Sequence, residues 1–424
     1  MKSKYLFATA LLYSCMISSH AQDTIKLVTY NLLRFEQSSC ASDRTPLLRT
    51  ILQYAKPDIL VVNELENAAD ADVVLNDCLN QNGITYYQRA TFGTNPPGYT
   101  DLNNLIYFNS NKFGLLSQFE IVTGQRDINK YVLYHKSPNL HIHQDTIKLT
   151  IYAVHLKAGS NDSDVSDRKK QADSLRKHVD AQGPGKFNIA AGDFNFKTAT
   201  EPGFARLCFE GAYPFKDPVN MITKWNNNPS VAYQHTQSAQ LNSSELSCTI
   251  GGGLDDRFDL ILMSENILSG GNRVQYARNS YRPIGNDGKH LNKAINDGPN
   301  TSVPADVLAA LHGMSDHLPV QSKLVLYYNP LVPPAYSVDG VHENFITEKA
   351  FSIYPNPANS YITIISKNII RANLSIKDVF GSTLHTAEFS GDEESVDISR
   401  LSQGVYFIHI TTDNQTEVIK IIKE

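Results

Sequence analysis

Short runs of apolar residues that end abruptly in polar side chains recur along the first half of the chain. One run ends on Asn31, a second on Glu64 and a third on His155, and a fourth leads into Gly192-Asp193-Phe194-Asn195. A short apolar run bounded in this way is typical of a buried strand. Because side chains alternate along a strand, Asp193 and Asn195 are expected to point in the same direction. The pattern therefore predicts strands that deliver polar groups from their ends.

Helical periodicity lies between these predicted strands. Apolar residues recur at helical spacing in residues 45–54, where Pro57 ends the helix, and in residues 166–179, where Ser166 or Asp167 is expected to cap it. Further predicted elements are a helix over residues 68–79 and strands over residues 105–108, 131–134 and 147–154. Strands that alternate with helices, together with strand pairs like hairpins, indicate mixed sheets covered by helices.

The pattern changes after residue 328. Residues 329–350 contain Pro330, Pro333 and Pro334, which a central strand does not tolerate, so this segment is predicted to be a linker. Short alternating stretches follow, separated by glycine turns, over residues 351–354, 361–365, 374–376, 405–410 and 418–422. They predict a small all-β domain. An adhesive or carbohydrate-binding β-sandwich is the alternative, and it would expose a row of aromatic residues, which this segment does not obviously contain.

Composition and charge leave the substrate open, whereas the N terminus indicates export. The chain has 424 residues, which suggests two or three domains, and its formal net charge of −5 provides no overall basic field for nucleic acid. A nuclease of this charge needs a local basic strip or metal ions to offset phosphate. Residues 1–21 have the positive start, short apolar stretch and small-residue cleavage site of a secretory signal peptide. No other stretch is apolar for long enough to predict a membrane span.

Two later segments complete a set of motifs. Arg257-Phe258-Asp259 places an acid inside a predicted strand, and Ser315-Asp316-His317 precedes another apolar run. In order and spacing, the motifs between residues 24 and 326 resemble the endonuclease/exonuclease/phosphatase superfamily, which includes pancreatic deoxyribonuclease, apurinic endonucleases and sphingomyelinases. The resemblance implies an α/β fold, a four-layer α-β-β-α sandwich whose mixed sheets are flanked by helices. The site is expected where the strand ends converge.

The C-terminal segment carries a second resemblance. Tyr354-Pro355-Asn356-Pro357-Ala358, Leu401-Ser402-Gln403-Gly404-Val405-Tyr406 and the final strand ending in lysine resemble the type A sorting domain of the type IX secretion system of Bacteroidetes. That machinery is then a partner, and the protein is expected to pass through the periplasm to the cell surface or the medium. The predicted domains are a signal peptide (1–21), a catalytic domain (22–328), a linker (329–350) and a β-sandwich for sorting (351–424).

Glu64 is the predicted centre of a metal site. A carboxylate at a strand end is a natural ligand for a hard cation, and such sites combine few protein ligands with water and substrate oxygens. The superfamily resemblance implies that Asn31 and Asp316 complete or flank this site. The expected ion is Mg²⁺, with Ca²⁺ or Mn²⁺ as alternatives. Glu66 points the same way as Glu64 by alternation and is expected to lie behind it or in solvent.

The resemblance also implies roles for the remaining polar groups. Asp193 and Asn195 are expected to orient the attacking water and hold the scissile phosphate. His317, oriented by Asp259, is expected to activate water or bind phosphate, and His155 to bind phosphate or protonate the leaving oxygen; histidine suits both tasks because its ordinary pKa is about 6.5. Arg126 and Lys157 are expected to contact phosphate, as is Asn31.

These residues predict a secreted, metal-dependent phosphodiesterase, an endonuclease for extracellular DNA or RNA. One alternative is a phospholipid phosphodiesterase like the sphingomyelinases, which needs an exposed apolar loop; residues 95–99 and 276–281 are the candidates, although both are polar. Another alternative is a surface binding module without catalysis. The polar segment 270–314, between Asp259 and Asp316, is expected to shape substrate recognition. The oligomeric state stays open.

Overall fold

The structure, a computed structural model, describes residues 22–35, 43–96, 100, 102–137, 140, 146–243, 250–270, 273–327, 351–378, 381–412 and 416–424. Within these residues, those up to Tyr327 form one compact unit and those from Phe351 form a second. The predicted signal peptide (1–21) and linker (329–350) lie outside the described residues, and the domain boundaries stay predictions. Among the described helices, none combines the length and the hydropathy that crossing a membrane requires.

The described residues of the first unit form thirteen strands. They are β1 (Gln22–Phe35), β2 (Ile59–Leu65), β3 (Tyr87–Arg89), β4 (Asn103–Asn109), β5 (Phe113–Ile121), β6 (Ile128–His135), β7 (Lys148–His155), β8 (Phe187–Asp193), β9 (Phe215–Lys216), β10 (Asp259–Ser264), β11 (Val274–Tyr276), β12 (Arg282–Pro283) and β13 (Val320–Tyr327). Its α-helices are α1 (Thr45–Ala55), α2 (Ala68–Val73), α3 (Asp162–Ala181), α4 (Pro202–Cys208), α5 (Glu265–Leu268) and α6 (Ala305–Met314). A π-helical turn (Val74–Leu79) follows α2, and a 3₁₀ helix (Pro229–Gln234) precedes β10.

These strands form two mixed sheets. The first has the order β11-β13-β1-β2-β4-β3, with β12 also paired to β13, and the second has the order β5-β6-β7-β8-β10-β9. Two neighbouring pairs, β1 with β2 and β7 with β8, are parallel, and the other pairs are antiparallel. The predicted α/β class with mixed sheets is confirmed.

Side chains on opposite faces of each strand pack into different cores and so separate the layers of the fold. On β8, Ile189 and Ala191 belong to the larger core, which also contains side chains of the first sheet, α1 and α6. Ala190, between them, belongs to a second core with side chains of α3 and α4. Each sheet therefore packs against the other sheet on one face and against helices on its opposite face. This is the four-layer arrangement that the sequence predicts.

Some elements differ from their predicted bounds. Helix α3 begins at Asp162, four residues before the predicted cap, because Asn161 and Asp164 form a capping box. The helix predicted over residues 68–79 is α-helical only as far as Val73 and continues as the π-helical turn. Strand β5 was not predicted, and it lies at the edge of the second sheet, where its exposed central residues weaken the apolar pattern.

The second unit is all-β, as predicted. Its strands are β14 (Phe351–Tyr354), β15 (Tyr361–Lys377), β16 (Thr383–Asp397), β17 (Gly404–Thr411) and β18 (Thr416–Lys423), joined in one five-stranded sheet. The stretches predicted separately over residues 361–365 and 374–376 belong to one long strand, β15. Strand β16 was not predicted because its sequence is mostly polar. In the Pro-Asn-Pro motif, the Asn356 amide donates to Lys420 O at 2.9 Å, and its Oδ1 accepts from Ile422 N at 2.9 Å.

Candidate active site

Strand register brings the predicted polar groups to one end of the two sheets. In the parallel pair β7–β8, His155 lies beside Asp193, and in the antiparallel pair β8–β10, Asp259 lies on the other side of Asp193. Asn31 on β1 joins the sheets, because its Nδ2 donates to Glu64 Oε1 at 3.0 Å and to Asp193 Oδ2 at 3.1 Å. Side chains from both sheets therefore meet at one point.

The backbone at this point adopts conformations that are rare for side-chain-bearing residues. Glu64 has a φ of 65° and Asn195 a φ of 54°, and both Leu33 and Arg34 have a φ of 48°. Gly192 has a φ of 144°, and a Cβ there would lie 1.9 Å from the carbonyl oxygen of Val154. Such conformations are costly and concentrate at functional sites, where they aim side chains that a regular strand would direct elsewhere.

Among the residues that the structure describes, Glu64, His155 and Asp193 form a group that could hold a metal ion. One candidate ligand atom from each lies within 4.8 Å of the others. His155 Nε2 is 3.7 Å from Glu64 Oε1 and 3.6 Å from Asp193 Oδ2. Burial raises the pKa of Asp193 to about 7, as do the nearby carboxylates of Asp259 and Glu64, while the positive charge of His317 opposes them. Two crowded carboxylates and an imidazole fit a divalent cation, which would relieve their repulsion.

The predicted ligand Asp316 is buried, and the Glu64 charge is close enough to raise its pKa. Its Oδ2 accepts from Gln237 Nε2 at 3.4 Å and from Ile250 N at 3.2 Å. Its Oδ1 is buried and has no hydrogen-bond partner among the described residues. Burial raises the pKa of Asp316 even though the charge of His317 favours its ionised form. The structure places His155 and Asp193 beside Glu64, and the ligand roles of Asn31 and Asp316 stay predictions.

His317 and Asp259 are paired. His317 Nδ1 lies 2.7 Å from Asp259 Oδ2, and its Nε2 lies 3.9 Å from Asp193 Oδ2. Burial disfavours the imidazolium, but the charges of Asp259, Asp193 and Asp316 outweigh it and raise the pKa of His317 well above its ordinary value. The Thr236 hydroxyl accepts from the backbone N–H groups of Phe258 and Asp259, at 3.2 and 3.3 Å, and so fixes the start of β10.

The pKa of His155 is shifted in the opposite direction to that of His317. It is buried, and burial together with the charges of Arg126 and His317 lowers its pKa well below the ordinary value. Arg126 Nη1 contacts His155 Nε2 and donates to Leu156 O at 2.9 Å. The neutral imidazole can serve as a metal ligand, and the guanidinium adds positive charge beside it.

Asn195 and Lys157 differ in how they relate to the site. Asn195 is held beside Asp193, because its backbone N–H donates to Asp193 Oδ1 at 3.0 Å and its Nδ2 donates to Leu156 O at 3.2 Å. Lys157 Nζ forms an ion pair with Asp164 Oδ1 at 2.8 Å. The structure therefore places Asn195 in the site and Lys157 against helix α3, and the phosphate contact expected for Lys157 stays a prediction.

Two residues that support the site were not identified from the sequence. Asn63 Oδ1 accepts from Asp193 N at 3.1 Å, and its Nδ2 donates to Val154 O at 3.0 Å, so it joins the two sheets. An amide inside an apolar run was the available signal for Asn63. Gln237 Nε2 lies 2.8 Å from His317 Nε2. Gln237 belongs to an irregular segment, and no periodicity marks it.

A buried polar cluster stabilises the strand that carries Asp259. Arg257 donates to both carboxylate oxygens of Asp217, at 2.8 and 2.9 Å, and its guanidinium lies 5.1 Å from the Trp225 ring and 5.5 Å from the Tyr281 ring. The Tyr281 hydroxyl accepts from Arg257 at 3.3 Å and donates to Asp259 O at 3.5 Å. The segment 270–314 therefore supports the site through Tyr281.

One of the two loops considered for membrane docking has buried tyrosines at both ends. Tyr276 is 7% exposed and Tyr281 is 5% exposed, so both are core residues. Of residues 95–99, residues 97–99 lie outside the described part of the chain.

Solved structures with similar folds include proteins of the endonuclease/exonuclease/phosphatase type. A protein so described from Bacteroides vulgatus is 12% identical, and the match covers 72% of this chain and 99% of that chain with a TM-score of 0.47. The catalytic domain of human nocturnin with bound sulfate is 16% identical, with 72% and 97% coverage and a TM-score of 0.45.

The C-terminal segment matches a known family. An endo-acting ulvan lyase from Formosa agariphila is 35% identical over 81 residues, which are 19% of this chain and 16% of that protein. The chain thus spans about a sixth of the length of that relative. Residues 352–424 match the family described as "Secretion system C-terminal sorting domain". The second unit is therefore a secretion system C-terminal sorting domain, which indicates export by type IX secretion to the cell surface or the medium.

Proposed function

We propose that the first unit is a metal-dependent phosphodiesterase that acts as an endonuclease on extracellular DNA or RNA. The observation that carries this proposal is the convergence of Glu64, His155 and Asp193 next to the Asp259–His317 pair. Hydrolysis of a phosphodiester needs charge neutralisation, an activated water and help for the leaving oxygen. The residues at this point can serve all three needs.

Glu64 and Asp193, with His155, would hold a divalent cation, and Mg²⁺ suits the two carboxylates. When bound, such an ion neutralises phosphate charge and acts as a Lewis acid. Asn31 fixes the two carboxylates relative to one another, since one amide group contacts both. Asn63 keeps the backbone of Asp193 in place from the first sheet.

His317 is the proposed proton donor and phosphate-binding cation. Its raised pKa favours the protonated imidazole, with Nδ1–H donated to Asp259. Asp193 and Asn195 orient the attacking water.

Arg126 and the sorting domain support extracellular nucleic acid as the substrate. The chain has a net charge of −5, so local cations must offset the phosphate charge, and Arg126 is placed beside His155 to do so. Export by the sorting domain favours degradation of extracellular nucleic acid over repair, because an exported enzyme has no genome to maintain.

The test uses the exported chain, residues 22–424, with plasmid DNA, structured RNA and sphingomyelin vesicles as substrates. Each is assayed with Mg²⁺, Mn²⁺ or Ca²⁺ and with excess chelator. We expect cleavage of nucleic acid that chelator abolishes and that Glu64→Gln lowers steeply, with weaker Mn²⁺ binding in calorimetry. Glu66→Gln is the matched control, because Glu66 forms an ion pair with Arg34 instead. Full turnover in excess chelator would refute the metal mechanism, and cleavage of sphingomyelin alone would refute the nuclease assignment.

A further inference from the structure

Two irregular segments form one surface next to His317. The first runs from the 3₁₀ helix (Pro229–Gln234) to Gln237, which contacts His317. The second, 286–293, belongs to the segment 270–314. Asn286 Nδ2 ties the two together, because it donates to Ala232 O and His235 O, both at 2.8 Å. Side chains on this surface are therefore held at a fixed distance from the candidate active site.

The second segment is ordered by its own polar groups. Asn286 Oδ1 accepts from Gly288 N at 2.7 Å, and Asp287 Oδ1 accepts from Lys289 N at 2.9 Å. Asp287 Oδ1 also lies 2.8 Å from Nδ1 of the buried His290. Asp287 is thereby engaged within the loop, whereas Lys289 is exposed at its tip. The hydrogen-bonded loop therefore holds the positive charge of Lys289 at its surface.

Tyr233 is the exposed aromatic residue of this surface. It is 53% exposed, and Gly288 packs so closely that a Cβ there would lie 3.2 Å from the Tyr233 Cβ. Gln237 follows Tyr233 by four positions, so their Cα atoms are at most about 14 Å apart. Stacked nucleotides rise by about 3.4 Å each along one strand, so about four of them span that distance. The ring therefore lies within reach of a strand whose phosphate is in the active site.

The charges around Tyr233 suit a phosphate backbone. Lys289 and Lys293 are exposed on the second segment. An exposed aromatic ring with neighbouring lysines is the arrangement by which proteins hold single-stranded nucleic acid, the ring stacking on a base and the lysines contacting phosphates.

We infer that Tyr233 and Lys289 form a subsite for single-stranded nucleic acid, in which Tyr233 stacks on an unpaired base a few nucleotides from the scissile phosphate. This inference rests on the proposed function and narrows its substrate to single strands or unpaired regions. A duplex would keep its bases stacked on one another, so the Tyr233 ring would find no free base face.

The test measures binding separately from cleavage. The exported chain is titrated, in chelator, with a labelled single strand of about 12 nucleotides, with the same strand made abasic at its centre, and with its duplex. Variants are Tyr233→Ala, Tyr233→Trp and Lys289→Gln, and Phe209→Ala is the matched control because Phe209 is also exposed, at 54%, outside these segments. Circular dichroism and melting temperature check the fold of each variant.

We expect Tyr233→Ala to weaken binding of the intact single strand by about 10- to 100-fold. Tyr233→Trp should retain affinity, and the abasic strand should bind weakly to both wild type and Tyr233→Ala. Lys289→Gln should reduce the slope of log affinity against log salt by about 1. Equal binding of intact strand by wild type and Tyr233→Ala, or tighter binding of duplex than of single strand, would overturn the subsite. If wild type cleaves no phosphodiester yet binds in this base-dependent way, the proposed catalysis fails and the subsite does not.

Discussion

Replacing Asp217 by Asn should destabilise the first unit far more than a surface substitution. Arg257 and Asp217 form a bidentate ion pair whose side chains are 0% and 2% exposed, and the guanidinium also lies near the rings of Trp225 and Tyr281. The neutral amide of the variant would leave the Arg257 charge buried without its anion. Removing one partner of a buried pair costs about 3–5 kcal/mol, and that loss lowers the melting temperature of a unit of this size by about 5–8 °C.

The experiment compares three variants by urea and thermal unfolding of the exported chain. Asp217→Asn should show the full loss, whereas the double variant Asp217→Leu/Arg257→Met should recover most of it, because apolar replacements of a buried pair are often neutral. Lys170→Gln is the matched surface control, since the Lys170–Asp167 pair has a lysine that is 68% exposed. That control should cost about 1 kcal/mol or less.

The same pair predicts a dependence of stability on pH. Burial raises the pKa of Asp217, but the charge of Arg257 and the hydrogen bonds from Arg257 and from Met221 and Val219 outweigh burial and lower it. A lowered pKa means that the contribution of Asp217 is fully present above about pH 4, the ordinary value in the unfolded chain, and is lost as the pH falls through the folded value. Wild type should therefore lose more stability than Asp217→Asn in that acidic range. A loss in Asp217→Asn no larger than that of Lys170→Gln would refute this account of the pair.

Two further predictions concern catalysis and export. His317→Ala should lower turnover by about 10²- to 10⁴-fold, and Asp259→Asn should lower it less. The double variant should be little worse than His317→Ala, because the two residues act as one unit. Steady-state kinetics with melting curves test this prediction, and strictly additive losses would contradict it. Deleting residues 351–424 should leave turnover intact but trap the protein in the periplasm. Cell fractionation combined with activity assays tests this prediction. A loss of activity in the purified deletion variant would show that the C-terminal unit is needed for catalysis.

The strand ends were predictable because each combines two independent signals. An apolar run marks a buried strand, and the polar residue that follows marks the end at which the site lies. Asn31, Glu64, His155 and Asp193 were identified in this way, and the structure brings all four together. The mixed α/β fold and the C-terminal sorting domain followed from the same patterns with the two resemblances, and both are confirmed.

The contacts that could not be predicted from the sequence depend on strand register and on irregular backbone. Asn63 and Gln237 act through contacts with residues about 130 and 80 positions away, and no local pattern encodes such contacts. The start of α3 could have been predicted, because Asn161 and Asp164 have the spacing of a capping box.

The division between strand ends and irregular segments also separates the proposed catalysis from the proposed substrate choice. Asp193 lies between His155 and Asp259 in strand register, so a one-residue slip of β8 would turn its carboxylate away from both. Hydrogen bonds that hold neighbouring strands together therefore also fix the distances on which the proposed hydrolysis depends. Tyr233 and Lys289 lie on segments with no such register, and their position depends on single amide contacts such as those of Asn286. Substitutions there can change which strand is bound while Asp193 and His317 keep their geometry.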